Sequence, residues 1–234
     1  MKQEFIHKGF MDNLLNGPSL SKHDNPKKLM IMLHGYGDNA ANFMHLAQPI
    51  DKDDWGMHYV ALNAPSIMKG NIMGYQWFDL YPGGVYIAEA GPKEYELVNK
   101  EIELSILKLM ETINFYLEQL KLKTTDCFLM GFSQGGIITF EYARRMASKL
   151  GGIAIISGRI INKDEDSNSY LQETPIFISH GSKDDVLPVS NFNESIKYLA
   201  KNNYKFESHL LEGDTHTISP NTINLFQKFI KKNI

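Results

Sequence analysis

The sequence predicts an α/β fold: a mostly parallel, doubly wound sheet with helices on both faces, built as a single domain over residues 1–234. Three observations carry that expectation. Short continuous apolar runs, such as LMIML at 29–33 and CFLMG at 127–131, are what strands buried on both faces look like in a parallel sheet. Segments of helical period lie between them, and this alternation implies right-handed βαβ crossovers. No internal repeat, low-complexity tract or linker interrupts the chain, and 234 residues suit one sizeable core.

The elements follow in order. Residues 1–28 read as an N-terminal extension or edge strands, a short strand or hairpin beside the sheet. The strand at 29–33 runs into the turn-rich HGYGDN. A helix near 39–49 follows, with Asp38 or Asn39 available as N-cap. MHYVALNAP is a second strand, closed by Pro65. Residues 66–93 are rich in Gly, Pro and aromatics and have no clear period, which marks a long functional loop.

From about 94 to 120, Val98, Ile102, Ile106, Leu109, Ile113, Leu117 and Leu120 recur at spacings of three and four and form one core-facing stripe. CFLMG is the next strand, and a helix runs from Gln134 through EYARRMASKL until Gly151-Gly152 stops it. IAIISG is a strand, NKDEDSNSYLQE a surface loop and PIFISHG another strand. A helix after Pro188, the strand YKFESHLLEG and a helix around 219–231 complete the pattern.

Composition narrows the function. The balance of 43% hydrophobic and 22% charged residues describes a soluble globular protein. A net charge of -3 exerts no broad pull toward nucleic acid or anionic membrane, and the short basic clusters Lys27-Lys28 and Lys231-Lys232 read as solvated surface. The single cysteine, Cys127, excludes an internal disulfide and a CxxC metal or redox site; inside DCFLM it reads as a buried, inert thiol. The first fifteen residues contain no apolar signal region. No stretch approaches the roughly 18 apolar residues of a membrane span, so no stable membrane insertion is expected. A cytoplasmic enzyme or binding protein remains.

LMGFSQGG, residues 129–136, is the most informative stretch. It leaves an apolar strand through Gly, carries one Ser at the corner and re-enters with two Gly before a helix. Gly131-Phe-Ser-Gln-Gly135 matches G-x-S-x-G in the strand–turn–helix setting that a nucleophile elbow requires; an ordinary turn containing Ser is the alternative. A serine hydroxyl needs a base to take its proton and an acid to orient that base, and with such an elbow the chain order is Ser, acid, His. That order removes His7, His23, His34, His45, His58 and His180. His209 lies within a strand-like segment, where a structural role is expected. His216 follows the polar turn EGDT, where catalytic loop residues sit.

Asp184 and Asp185, side by side after a strand, are the candidate acids, while Asp214 reads as a turn-shaping residue. The backbone N–H of Gln134 is one oxyanion donor, and that of Tyr36, within HGYGD, is a second. His34 reads as a structural histidine that fixes this loop. Trp77, Phe78, Leu80 and Leu187 are candidates for an apolar acyl pocket, although aromatics in loops also simply cover cores. No metal or organic cofactor is needed for such chemistry.

LMIMLHGYGDNAANF, NAP, WFDL, GFSQGG, HGSKDDVLP and EGDTH occur in the order seen in the phospholipase/carboxylesterase family, which includes acyl-protein thioesterases and small bacterial carboxylesterases. The resemblance spans roughly residues 29 to 220. It implies an α/β-hydrolase fold and a serine hydrolase that cleaves carboxylic esters or thioesters, with a small-molecule or lipid substrate. It supports Ser133 as nucleophile and His216 as base. It selects Asp184 as the acid, the fourth residue after the His of H-G-x-x-D-x-V-x-P, and maps the oxyanion donors to Tyr36 and Gln134.

Similar bacterial enzymes often pair as homodimers, which the resemblance leaves open as an assembly for this chain. Two departures stand out: Tyr36 replaces a frequent aliphatic residue, and YPGGVYIAEAGPKEYE at 81–96 matches no subgroup's loop. The rival readings are a peptidase or dienelactone-hydrolase-like enzyme on the same fold, and a catalytically silent hydrolase fold that binds a lipid or partner.

Overall fold

The computed structural model describes residues 2–5, 14–68, 70–162 and 168–234. Its centre is an eight-stranded sheet made of β1 (Lys2–Phe5), β2 (Pro18–Ser21), β3 (Lys28–Leu33), β4 (Met57–Leu62), β7 (Cys127–Phe132), β8 (Gly152–Ile156), β9 (Ile176–Gly181) and β10 (Phe206–Leu211). The spatial order is β1-β2-β4-β3-β7-β8-β9-β10. The six strands from β4 to β10 are parallel, whereas β2 pairs antiparallel with β4 and β1 antiparallel with β2 at one edge. A mostly parallel, doubly wound α/β sheet is therefore what the chain builds.

The apolar runs explain why. Along β3, Leu29, Ile31 and Leu33 enter one core, while Met30 and Met32 enter the other, all fully buried. The first core is roofed by α3 (Pro92–Leu120), α4 (Gln134–Arg145), α5 (Ser169–Glu173) and α6 (Val189–Lys201). The second is covered by α1 (Ala40–Met44), α2 (Ala47–Ile50) and α7 (Pro220–Asn233). The α3 stripe is buried as expected from Val98 to Leu117, and Leu120 packs partly buried at its end. Cys127 is fully buried, and burial pushes its thiol far above the ordinary range, which makes it inert.

Several boundaries differ from expectation. The helix near 39–49 is two short helices, α1 and α2; Asn39 is the N-cap, its side chain accepting the Asn42 N–H at 2.9 Å. The stretch 66–93 contains a hairpin of β5 (Ser66–Met68) and β6 (Asn71–Gln76), with 3-10 turns at Pro82–Gly84 and Ile87–Glu89. The hairpin's Ile67, Ile72 and Met73 face solvent, so no inward alternation announces it.

Helix α4 stops at Arg145 rather than near Gly151, because Met146 is extended and Asn168 Nδ2 donates to the carbonyls of Arg144 and Met146 at 3.0 and 2.6 Å. Within the expected surface loop at 162–173, residues 163–167 lie outside the described residues, and 169–173 form α5, capped by Asn168. Among the described residues, no helix is long and apolar enough to cross a membrane.

The chain leaves β3 toward β4 on one side and later enters β7 on the other, so β3 and β7 are neighbours at the point where strand order reverses. In open α/β sheets the crevice at the carboxyl ends of such a pair is where ligands bind.

Candidate active site

Ser133 sits at the corner between β7 and α4 with φ 53° and ψ -115°, a left-handed conformation that a non-glycine residue adopts only when its surroundings impose it. The surroundings are glycines that permit close approach. A Cβ on Gly131 would lie 2.1 Å from Gly135 O, and one on Gly135 would lie 2.2 Å from Leu33 O. Ser133 N–H donates to Ile156 O at 2.8 Å, which extends the β7–β8 ladder to the corner. Ser133 is the N-cap residue of α4, half-buried at the carboxyl end of β7.

The loops after β9 and β10 meet beside it. Ser182 N–H donates to Leu211 O and Lys183 N–H to Asp214 O, both at 2.9 Å. Gly181 makes this meeting possible, because a Cβ there would lie 2.3 Å from Asp214 O. The result brings His216 Nδ1 to 2.7 Å from Asp184 Oδ2. The Asp184 side chain is fully buried, and its Oδ1 accepts the N–H groups of Val186 and Leu187 at 3.0 and 2.8 Å. Since Nδ1–H donates to the carboxylate, His216 Nε2 is left as the acceptor. The imidazole packs on Phe132, the residue before Ser133, with ring centroids 4.8 Å apart.

Asp185 is exposed. Asp214 serves the turn through its backbone carbonyl, and His209 stays in β10, against Phe177.

The turn after β3 faces the corner from the other side. His34 is fully buried; its Nε2 accepts the Ala64 N–H at 3.1 Å, so Nδ1–H donates to Gly35 O at 2.6 Å. Burial holds its pKa below the ordinary value, against smaller opposing pulls from Gly35 O and Asp38. Gly37 N–H donates to Tyr75 O and Tyr75 N–H to Asp38 O, both at 2.9 Å, which ties this turn to β6. Among the described residues, neither the Tyr36 nor the Gln134 N–H donates to a backbone carbonyl. Burial, then Asp79 and Tyr81, raises the Tyr36 phenol above its ordinary pKa, so it is a neutral hydroxyl.

Sequence reasoning missed the anchor that joins these parts. The Gln134 side chain accepts the Trp77 N–H at 2.8 Å and donates to Phe78 O at 2.7 Å. Trp77 Nε1–H donates to His34 O at 2.9 Å, and Ser105 of α3 donates to Trp77 O at 2.5 Å. A glutamine among glycines carries no signal of partners more than fifty residues away. Trp77 and Phe78 are fully buried members of the core, while Leu80 and Leu187 are half-buried. No group of three or more His, Cys, Asp or Glu is placed to hold a metal ion among the described residues.

The phospholipase/carboxylesterase pattern matches residues 19–234. The chain belongs to the phospholipase/carboxylesterase family. Acyl-protein thioesterase 1 of Kluyveromyces lactis is 27% identical over 227 residues, covering 91% of this chain and 94% of that protein. The Candida albicans protein of the same name is 29% identical over 223 residues, covering 88% and 91%. Among solved structures, esterase PE8 superposes with a TM-score of 0.81 at 26% identity, covering 94% of this chain and all of that one. The Bacillus cereus carboxylesterase, at 14% identity and a TM-score of 0.75 over 92% of this chain and 93% of its own, shares the fold. As a phospholipase/carboxylesterase, the chain is a serine hydrolase that acts on carboxylic esters or thioesters.

Proposed function

We propose that this protein hydrolyses its substrate through an acyl-enzyme on Ser133. The observation that carries the proposal is the 2.7 Å bond from His216 Nδ1–H to the buried Asp184 carboxylate, next to a serine held in a left-handed corner. Ser133 Oγ attacks the carbonyl carbon and gives its proton to His216 Nε2. Asp184 holds the imidazole in the required tautomer and stabilises the imidazolium. The N–H groups of Tyr36 and Gln134 receive the oxyanion, each worth about 3 kcal/mol in such sites.

The tetrahedral intermediate collapses as His216 returns the proton to the departing alcohol or thiol. Water then attacks the acyl-serine by the same route, releasing the acid and restoring Ser133. Leu80 and Leu187 border the acyl chain, and the buried Trp77 and Phe78 back that wall. The names of the fungal relatives make an acyl thioester the first substrate to set beside simple esters. The single buried thiol fits a cytoplasmic setting.

Labelling by a fluorophosphonate probe tests the proposal, with turnover of 4-nitrophenyl butyrate and of a palmitoyl thioester measured in parallel. Labelling and turnover are expected in the wild type, to vanish in Ser133→Ala and His216→Ala, and to weaken in Asp184→Asn. Undiminished labelling of Ser133→Ala, or a folded wild type that neither labels nor turns over, would overturn it.

A further inference from the structure

A second histidine touches the Asp184 carboxylate, and nothing in the proposed chemistry uses it. His180 closes β9, its side chain completely buried. Its Nε2 lies 2.8 Å from Leu187 O, and because a carbonyl only accepts, Nε2 carries the hydrogen. With its hydrogen directed at that carbonyl, Nε2 also lies 3.3 Å from Asp184 Oδ2, the oxygen that receives His216 Nδ1–H, in a close contact and not a hydrogen bond. His180 Nδ1 is buried with no hydrogen-bond partner among the described residues, so the ring's one directed interaction is the Nε2–H bond to Leu187 O. The ring is held against Phe192 of α6, with centroids 5.7 Å apart. A buried polar atom without a partner is costly, and a leucine or phenylalanine would fill an apolar site at that position without that cost. The Nε2–H donated to Leu187 O is what such a residue could not supply.

We infer that His180 is a positioning residue: its Nε2–H, bonded to Leu187 O, pins the 184–187 turn and so aims the Asp184 carboxylate at His216. This inference rests on the reading of Asp184 and His216 given above. Asp184 is then held by the Val186 and Leu187 amides on Oδ1 and by His216 on Oδ2, with the His180 ring packed 3.3 Å from Oδ2. By fixing the Leu187 carbonyl, His180 fixes the turn whose amides hold the acid, beside the acyl wall.

The test compares His180→Phe, which keeps a ring on Phe192, with His180→Gln, whose side-chain amide can still donate from the Nε2 position. Loss of the bond that holds the turn carrying Asp184 is expected to lower kcat for 4-nitrophenyl butyrate roughly tenfold in His180→Phe, with KM changed less. His180→Gln should recover most of the loss. In an Asp184→Asn background, His180→Phe should cost nothing further, because its effect passes through that carboxylate. The His216 Nδ1–H proton resonance should move in His180→Phe and return in His180→Gln, which reads the geometry without turnover.

Wild-type kcat in His180→Phe, an equal loss with Asp184→Asn already present, no recovery by Gln, or an unmoved resonance would overturn the inference. A wild type without Ser133-dependent turnover would instead overturn the proposed reaction, and the resonance would still decide the role of His180. If His180→Phe fails to fold, the resonance and kcat of His180→Asn, which removes the donor from the Nε2 position, decide in its place.

Discussion

Gln134 and Trp77 are bound to each other in the buried core: the Gln134 Oε1 accepts the Trp77 N–H at 2.8 Å, while its Nε2 donates to the next carbonyl, that of Phe78, at 2.7 Å. One residue thus carries a proposed oxyanion donor on its backbone and holds the buried Trp77-Phe78 segment with its side chain. Replacing it by Leu would leave a buried N–H and a buried C=O unpaired. Gln134→Leu is expected to lose about 2–4 kcal/mol of stability, read from urea unfolding. A loss below about 0.5 kcal/mol would mean that water replaces both bonds, as it does at exposed sites.

The left-handed corner at Ser133 gives a second expectation. Both Ser133→Ala and Ser133→Gly remove the hydroxyl, but only glycine relieves the φ of 53°. Ser133→Gly should be more stable than Ser133→Ala by about 1 kcal/mol, with both inactive. Thermal melts of the two variants decide it, and equal melting temperatures would show that the corner is unstrained.

Gly135 lies where α4 passes the end of β3. An added Cβ would meet the carbonyl oxygens of Leu33 and His34 at 2.2 and 2.6 Å, and these are backbone atoms that cannot swing aside. Gly135→Ala is expected to destabilise by about 3 kcal/mol and to separate the turn after β3 from Ser133, which abolishes probe labelling of the folded fraction. Normal labelling at normal stability would refute the close approach.

Stability should also depend on pH through His34. Burial lowers its folded-state pKa below the ordinary 6.5. The unfolded chain therefore binds the proton more readily. Stability is full above pH 6.5, falls as the pH drops from there toward the folded-state value, and levels off below it. His209, also lowered by burial, adds a slope of the same sign. Urea unfolding of wild type and His34→Gln across this range isolates the His34 share. Parallel curves would assign the slope elsewhere.

What the sequence made legible has a physical pattern. Strands such as β3 and β7 were readable because both faces are buried, which leaves an uninterrupted apolar run in the chain. The Ser133 corner was readable because backbone crowding there admits only glycine on either side. The β5–β6 hairpin was not, because Ile67, Ile72 and Met73 face solvent and leave no inward pattern. Helix α4 was read too long because its stop comes from Asn168, a residue beyond the next strand. Chain order and the preceding polar turn pointed to His216, while the residues alone left Asp184 and Asp185 open and the family resemblance chose Asp184. The roles of Gln134 and His180 were not legible, because each depends on where a single nitrogen points.

Ser133, Asp184 and His216 reach the crevice from the ends of β7, β9 and β10, and Tyr36 from the end of β3. The parallel strands between them pair only through long-range crossovers, which close late and slowly in folding. Ribosomes deliver these segments one after another over many seconds. On the proposed reaction, the serine leaves the ribosome ahead of its base. Hydrolysis would then begin only once the far edge of the sheet is laid down, and turnover would read out completed folding.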